Sequence, residues 1–544
     1  MKPRPRGALL AIALAWLIVY PLLLAALDGL RAPEGWTTSY VAAFVRDPSE
    51  WMALWRSVWI SLASVLLAGV LGIPLAFVFE RLEFPGRRLL GGLVALPAVL
   101  PPLVGVIAFL FLFGESGFVT RVAEHVLGLD GAPWRLQGAG AILLVHAYSM
   151  YVYFYLFTRA GLARVDRSMV EAAESLGAGR AEVLRRVVLP LLRPQLAAAA
   201  LLTFMTALGS FSAPYVFGGG FRVMTTQIVA TKLNGQVGLA MVQTTALALV
   251  ALAGLWLLRR TEGARPVAVV AKGTAPRART LHRPLARWGA ALLGWALALF
   301  LLLPHLTLLL VSFVPLGTWS TELLPPAYSV GNYLALVREP ERLRPLLNSL
   351  WMAGVAAAAA VGLALWAGRL VVQRKAVWGR LIEGLTNLPW AVPGTVLAIA
   401  LAATFSIRAP WVGRWVLVGT VVILPLAYAV RNLPLAAGAV VAGFRQLDPS
   451  LDEAAASLGA GRLRTLARVT VPLLRPALLA GAALAFATAL GDFVTSIVLY
   501  TFETRPISIE ILGALRQFDL GVAAAYGVVL MLISAVAMAV GTRR

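Results

Sequence analysis

The sequence predicts an all-α polytopic membrane protein of about 12 transmembrane helices, arranged as two parallel six-helix pseudo-repeats. Three observations lead there. Mean hydropathy is +0.82 over 544 residues, with 60% hydrophobic and only 13% charged residues. Apolar stretches of about 20 residues recur along the chain, each long enough to cross roughly 30 Å of hydrocarbon. The string EAAESLGAGRAEVLRRVVLPLLRP begins at Glu171, and EAAASLGAGRLRTLARVTVPLLRP begins 282 residues later at Glu453, with 17 of 24 positions identical. A large soluble helical protein would need polar faces at helical period, which most of these runs lack.

In the first half the predicted spans lie at about 8–27, 57–79, 89–113, 139–160, 195–217 and 238–258. In the second they lie at about 289–313, 349–370, 381–405, 413–440, 477–500 and 521–540. This gives a first permeation-scale domain over 1–258, a linker over 259–288 and a second domain over 289–544. Lys2, Arg4 and Arg6 precede the first span and place the N-terminus in the cytoplasm. Counting onward, the loop with Arg81, Arg87 and Arg88, both repeated segments, the linker and the Arg543–Arg544 tail all fall on that side. The linker has eight basic residues between Arg259 and Arg287 against one acid, Glu262. The formal charge of +22 is therefore the charge of cytoplasmic loops, and the partner it implies is a lipid bilayer and not nucleic acid. With no Cys, a disulfide, a thiolate metal site and a cysteine nucleophile are excluded. The first span has the basic start and apolar core of a signal peptide. Its counterpart near 289–313 opens the second half, so symmetry predicts that the first span is retained.

The halves match beyond the long repeat. Arg56-Ser57 matches Asn348-Ser349, Leu96-Pro97 matches Leu388-Pro389 and Pro101 matches Pro393, all at an offset of 292. After the fourth span the offset becomes 282, so ten extra residues lie between about Gly114 and Gly138. Gly209–Phe211 then matches Gly491–Phe493. An even number of spans per half makes the halves parallel, and the Ala-, Pro-, Gly- and Arg-rich linker reads as a flexible tether.

Within the repeated segment, Ser168-x-x-Glu171 and Ser450-x-x-Glu453 have the form of capping boxes opening a short helix. Gly177 and Gly459 allow a turn. A second helix is predicted from Arg180 or Arg462 to Pro190 or Pro472, with Pro194 and Pro476 in the first turn of the next span. Small Ala residues permit close approach of another backbone, and the arginines supply a polar rim. An amphipathic helix resting on headgroups would need more apolar area than these Ala-rich faces offer.

The pattern filled by Glu171, Ala172, Ala173, Gly177 and Pro190, and again by Glu453, Ala454, Ala455, Gly459 and Pro472, resembles the cytoplasmic loop of permease subunits of ATP-binding-cassette importers. The resemblance covers nearly all of both halves. It implies that each loop is a coupling helix, with Arg180 and Arg462 in the same segment, seated in a groove on a nucleotide-binding subunit. It further implies two copies of that ATPase, an extracytoplasmic solute-binding protein, and a bacterial inner-membrane location with both termini cytoplasmic. The chain has no G-x-x-x-x-G-K-[ST] phosphate loop, so ATP and Mg are expected on the partner ATPase. No cofactor and no catalytic residue are expected here, and the chain is not expected to be an enzyme. GSFSAPYVFGGGFRVMTTQI and GDFVTSIVLYTFETRPISIEI are most similar to ferric iron permeases, with thiamine, polyamine and phosphonate importers sharing the architecture. A 12-helix ion-coupled secondary transporter is the competing class; it would carry several intramembrane acids and would not need the repeated segments.

Asp492, inside an apolar run, is the clearest pathway candidate, and its counterpart is Ser210. Tyr215, beside Pro214 and three glycines, suits a gate or a tight loop. His146 with Tyr148, Tyr151, Tyr153 and Tyr155 forms an aromatic patch on the fourth span, of a kind that more often packs than binds. No residue is assigned as a metal ligand.

Overall fold

The computed structural model describes residues 5–262, 279–280, 284–319, 322–372, 377–406, 412, 415–448 and 450–541. Most of the linker, Lys2, Arg4 and the Arg543–Arg544 tail lie outside the described residues. Among the described residues eleven helices are long and apolar enough to cross a membrane, and one bent pair, taken as one span, makes a twelfth. Spans 1 to 6 are Gly7–Asp28, Pro48–Arg81, Pro102–Leu127, Gly138–Leu162, Arg180–Leu208 and Val237–Leu257. Spans 7 to 12 are Arg287–Val311, Pro340–Val372, the pair Trp378–Trp390 and Gly394–Ser406, Ile423–Gln446, Arg462–Leu490 and Leu520–Gly541.

The predicted spans differ from these in informative places. Span 2 starts at Pro48 because Asp47 caps it, accepting from the Ser49 N–H at 2.8 Å, with Pro48 in the first turn. Spans 3 and 9, expected as single helices at about 89–113 and 381–405, are elbows. In the first half a helix over Arg87–Leu93 gives way to a 3₁₀ turn at Leu96–Val99 before the helix restarts at Pro102. In the second half the corresponding bend is 103°. Pro97, Pro101 and Pro102, like Pro389 and Pro393, lack an N–H and push the preceding residue out of helical geometry. Span 10 begins at Ile423, not near 413.

Each half packs spans 2, 4 and 5 (or 8, 10 and 11) against one another. Small residues allow the close approach that drives helix association in lipid. Ala353, Ala356, Ala360, Ala364, Ala367 and Gly368 form a buried stripe on span 8, and a Cβ at Gly368 would meet Phe444 of span 10 at 2.7 Å.

The first span of each half is exchanged. Span 1 packs on span 9, with Trp16 edge-on to Phe405 at 6.0 Å. Span 7 packs reciprocally on the span 3 elbow, where Tyr148 of span 4 also donates to the Leu301 carbonyl at 2.6 Å. The ten-residue insertion forms a helix over Phe118–Leu127. Phe118 stacks on Trp319 of the second half at 4.7 Å, and the Arg121 guanidinium lies 4.4 Å from that indole. Of the linker, Arg279–Thr280 pairs in parallel with Leu82–Glu83.

Candidate functional site

The repeated segments fold as two matching knuckles. The first helix spans Arg167–Ser175, and the second Ser450–Ser457. The expected capping boxes are replaced by a cap two residues upstream. Asp166 Oδ1 accepts from the Ser168 N–H at 3.0 Å, and Asp448 Oδ1 from the Ser450 N–H at 2.9 Å. Those bonds to Ser450 hold the Asp448 carboxyl below its ordinary pKa.

Both helices stop through one device. Gly177 and Gly459 adopt φ of +87° and +73°. The N–H of Ala178 reaches Ala173 O at 3.0 Å and that of Gly177 reaches Glu174 O at 2.9 Å, with Ala460–Ala455 and Gly459–Ala456 doing the same. The residue before each glycine, Leu176 or Leu458, is left 89% or 88% exposed. Ala172, Ala454, Glu171 and Glu453 are also exposed, whereas Ala455 is buried against its own knuckle.

After the turn a helix restarts at Arg180 or Arg462, both exposed. It was expected to end at Pro190 and Pro472, but it runs on as spans 5 and 11. A single π turn, Leu184–Val188 or Leu466–Thr470, widens the helix just before each proline and absorbs the missing N–H. Pro194 and Pro476 consequently lie inside the span, past its first turn. The knuckles are thus rigid extensions of spans 5 and 11. Their anchorage differs: Phe77, Val170 and Ala173 pack around Leu162 and Val183 in the first half. In the second, Arg369 of span 8 pairs with Asp452 at 2.9 Å.

At its other end span 5 breaks at Gly209, and span 11 at Gly491; short helices Ser212–Phe217 and Val494–Leu499 follow. Non-helical backbone at this depth must find its hydrogen bonds within the protein. Thr225 Oγ1 donates to Ser210 O at 2.7 Å, and Ser508 Oγ to Asp492 O at 3.0 Å. The matched serines Ser57 and Ser349 accept from the Met224 and Ile507 N–H groups at 2.7 and 2.8 Å. Phe211 and Phe493 face each other across the halves at 5.6 Å, and Tyr215 stacks on Phe211 at 5.1 Å. The Tyr215 hydroxyl is bonded by Arg516 of the second half.

Asp492 is buried and paired: its Oδ2 lies 3.3 Å from Arg431 Nε, and it accepts from the Thr495 N–H and hydroxyl at 2.8 and 2.9 Å. The sequence reading missed Arg431; the signal was an arginine in the middle of an apolar run. Gly394 leaves room for it, since a Cβ there would run into the guanidinium. In the first half the positions matched to Arg431 and Asp492 are Ser149 and Ser210. His146 Nε2 lies 2.9 Å from Ser210 Oγ, and its Nδ1 lies 2.8 Å from Ser64 Oγ. A cavity of about 170 Å³ opens here within the first half, walled mostly by apolar groups, with His146, Ser149, Thr206, Ser210 and Ser212 among its polar residues and only Arg431 and Val494 reaching it from the second half. Asp492 does not line it. Tyr151 and Tyr155 turn away to the carbonyls of Val94 and Gly91, so these members of the aromatic patch are packing. Among the described residues no group of three or more His, Cys, Asp or Glu could hold a metal ion.

Two six-span bundles, each with a matching knuckle and meeting at Phe211 and Phe493, define an integral-membrane transport subunit. Residues 68–260 and 360–543 match the model of the binding-protein-dependent transport system inner membrane component, and the chain belongs to that family. It is the permease subunit of an ABC importer. Over 97% of its length it is 31% identical to the "Probable ABC transporter permease protein y4fN" of Sinorhizobium fredii, 94% of which is covered. Over 86% of its length it is 29% identical to a ferric transport system permease protein of Actinobacillus pleuropneumoniae, 69% of which is covered. A molybdenum transport system permease protein of Escherichia coli K12 is 35% identical over 31% of this chain, covering 72% of that protein.

Proposed function

We propose that this chain is the fused permease of an importer for ferric iron, driven by two copies of a separate ATPase subunit that use ATP and Mg. The observation that carries the iron reading is the similarity to ferric transport permeases through both halves, against matches to molybdenum permeases over about one third to one half of the chain. The knuckles support the drive. Each presents a bare leucine, Leu176 or Leu458, beside small residues, next to a span that ends at the Phe211–Phe493 contact between the halves. An ATPase groove would take Glu171, Ala172, Ala173 and Gly177 on one side and Glu453, Ala454 and Gly459 on the other, with Ala455 buried behind them and Arg180 and Arg462 at the rim. Closing the two ATPase subunits would then lever spans 5 and 11 and shift Phe211 against Phe493.

In this reading both knuckles and both termini are cytoplasmic, and a solute-binding protein delivers cargo at the opposite face. The helix that runs on from Arg180 or Arg462 through the π turn and Pro190 or Pro472 would carry the motion of each knuckle into its span. The test is ATP-dependent uptake of radioactive iron into liposomes containing the permease, its ATPase and its binding protein. Uptake of another solute in place of iron would overturn the cargo assignment. Uptake at full rate without the ATPase would overturn the drive.

A further inference from the structure

We propose that the turn after helix Ile507–Arg516 is where the extracytoplasmic solute-binding protein engages this chain. That protein takes the Phe518 ring into an apolar pocket and offers Arg516 a carboxylate, which draws the arginine off Tyr215 and loosens the seam between the halves. The inference rests on the reading that cargo arrives from such a protein, and not on the cargo being iron.

The turn carries a strained, bare aromatic ring. Helices Met224–Leu233 and Ile507–Arg516 are matched, each starting at an N–H held by Ser57 or Ser349. Both end in the same hydrogen-bonded turn, with the Gln236 N–H on Thr231 O at 3.1 Å and the Asp519 N–H on Ala514 O at 2.9 Å. The left-handed position of that turn is Gly235 (φ +80°) in the first half and Phe518 (φ +57°) in the second. Among the described residues Phe518 is the only non-glycine with positive φ. A side chain there costs stability that glycine does not, yet the ring is 81% exposed and gains little packing in return. Strain of this kind persists where a function needs it.

The place of the turn names its occupant. Arg516, two residues before the ring, reaches across to the Tyr215 hydroxyl of the first half. Tyr215 in turn stacks on Phe211 at 5.1 Å and stands edge-on to Phe493 at 5.9 Å. The turn is therefore tied to the contact where spans 5 and 11 break, at the ends of those spans away from the knuckles. A lipid would meet the outer wall of the bundles and not this seam. The corner is also built once: the residue matched to Tyr215 is Ile497, and that matched to Arg516 is Leu233. A single receptor molecule has no two-fold symmetry and needs one such corner.

The chemistry of the corner permits an exchange of partners. Arg516 is exposed and bonds to a neutral hydroxyl, whereas a carboxylate would offer the guanidinium two charged acceptors. Asp519, beyond the ring, is committed: it accepts from the Val522 N–H at 3.2 Å and pairs with Arg342 at 3.3 Å. The turn is thus held while Arg516 is free to move. An aromatic ring and an arginine are side chains that protein interfaces favour at their centres.

The test uses the permease–ATPase complex in lipid nanodiscs and the purified solute-binding protein of the same transport system. Phe518→Gly removes the ring and the strain together. Its melting temperature should equal or exceed that of the unchanged chain, while affinity for the binding protein falls about tenfold. Arg516→Gln should weaken affinity several-fold and flatten its dependence on ionic strength. Tyr215→Phe keeps the stacked ring and removes the latch, so ATP turnover without the binding protein should rise several-fold while affinity for it is retained. The chain has no cysteine, so bimane attached to Phe518→Cys reports on that position alone, and its emission should shift when the binding protein is added.

Unchanged affinity or a lowered melting temperature in Phe518→Gly, or unchanged receptor-free turnover in Tyr215→Phe, would each overturn the proposal. Quenching of the bimane by brominated phospholipid, in place of a shift with the binding protein, would assign the ring to the bilayer and overturn it too. A binding protein that engages no form of the complex would remove the delivery reading along with this inference. Equal binding to the unchanged and Phe518→Gly complexes removes this inference alone.

Discussion

Gly491 lies directly on Pro101 across the boundary between the halves: a Cβ at 491 would come within 2.7 Å of the Pro101 Cβ. The reciprocal contact, Gly209 on Pro393, is looser, at 3.4 Å to the Pro393 Cα. The break in span 5 of each half thus seats on the elbow of the other half's third span. Gly491→Ala should destabilise the purified protein by about 1–3 kcal/mol through overpacking, and Gly209→Ala by less. Thermal unfolding followed by tryptophan fluorescence gives the order; the reverse order would contradict the asymmetry.

Gly394→Ala should act through Arg431. The added methyl drives the guanidinium off Asp492 and strands a buried carboxylate, at a cost of about 3 kcal/mol or more. In the Arg431→Gln, Asp492→Asn background the same substitution should be much milder, because neither charge remains. A thermal double-mutant cycle measures the coupling, and additive effects would show that Gly394 matters for another reason.

At Gly177 and Gly459 there is open space around a Cβ, so only backbone conformation resists substitution. The penalty should rise from Asn to Ala to Val, at about 1–2 kcal/mol for the strained members. If the ATPase grips the knuckles, co-purification should fall in that order, and the double Val variant should lose most of it. Undiminished ATPase binding by that variant would disprove docking there.

Asp448 gives the second knuckle a pH dependence of known sign. Its pKa is lower folded than unfolded, so its contribution is complete above the ordinary value of 3.8 and is lost as pH falls through the folded one. Amide exchange at Ser450 should therefore accelerate only below about pH 4. Asp448→Asn, which still caps, should remove that acid step. Persistence of the step in the Asn variant would assign it to another group.

The knuckle anchors should differ in salt sensitivity. The half-exposed Arg369–Asp452 pair is worth up to about 1 kcal/mol and should weaken at high ionic strength. The apolar packing around Leu162 and Val183 should not. Exchange or spin-label mobility of each knuckle across a salt series distinguishes them, and equal responses would refute the difference.

Much of this was legible in the sequence because it was written twice. The Gly turns, the knuckle–span order and the pairs Pro101/Pro393 and Gly209/Gly491 all follow from matching offsets, and the structure turns the last four residues into two contacts. What escaped was local competition. Ser168 and Ser450 looked like caps, yet Asp166 and Asp448 are better acceptors two residues earlier and took the role. Pro190 looked like a stop, but a π turn accommodates it, and no propensity rule announces one. Arg431 and Asp492 are 61 residues apart in different spans, so their pairing had no local signature. The bends in spans 3 and 9 escaped although their prolines were noted, because hydropathy records length and not direction.

The exchange of spans 1 and 7 has a consequence for manufacture of the molecule. Cutting the coding sequence within the tether would yield two polypeptides, each with a stave that packs on its own last span and on its sibling's elbow. The elbow of each product would stand uncovered until the other arrived, and a single uninterrupted reading frame guarantees equal supply of both.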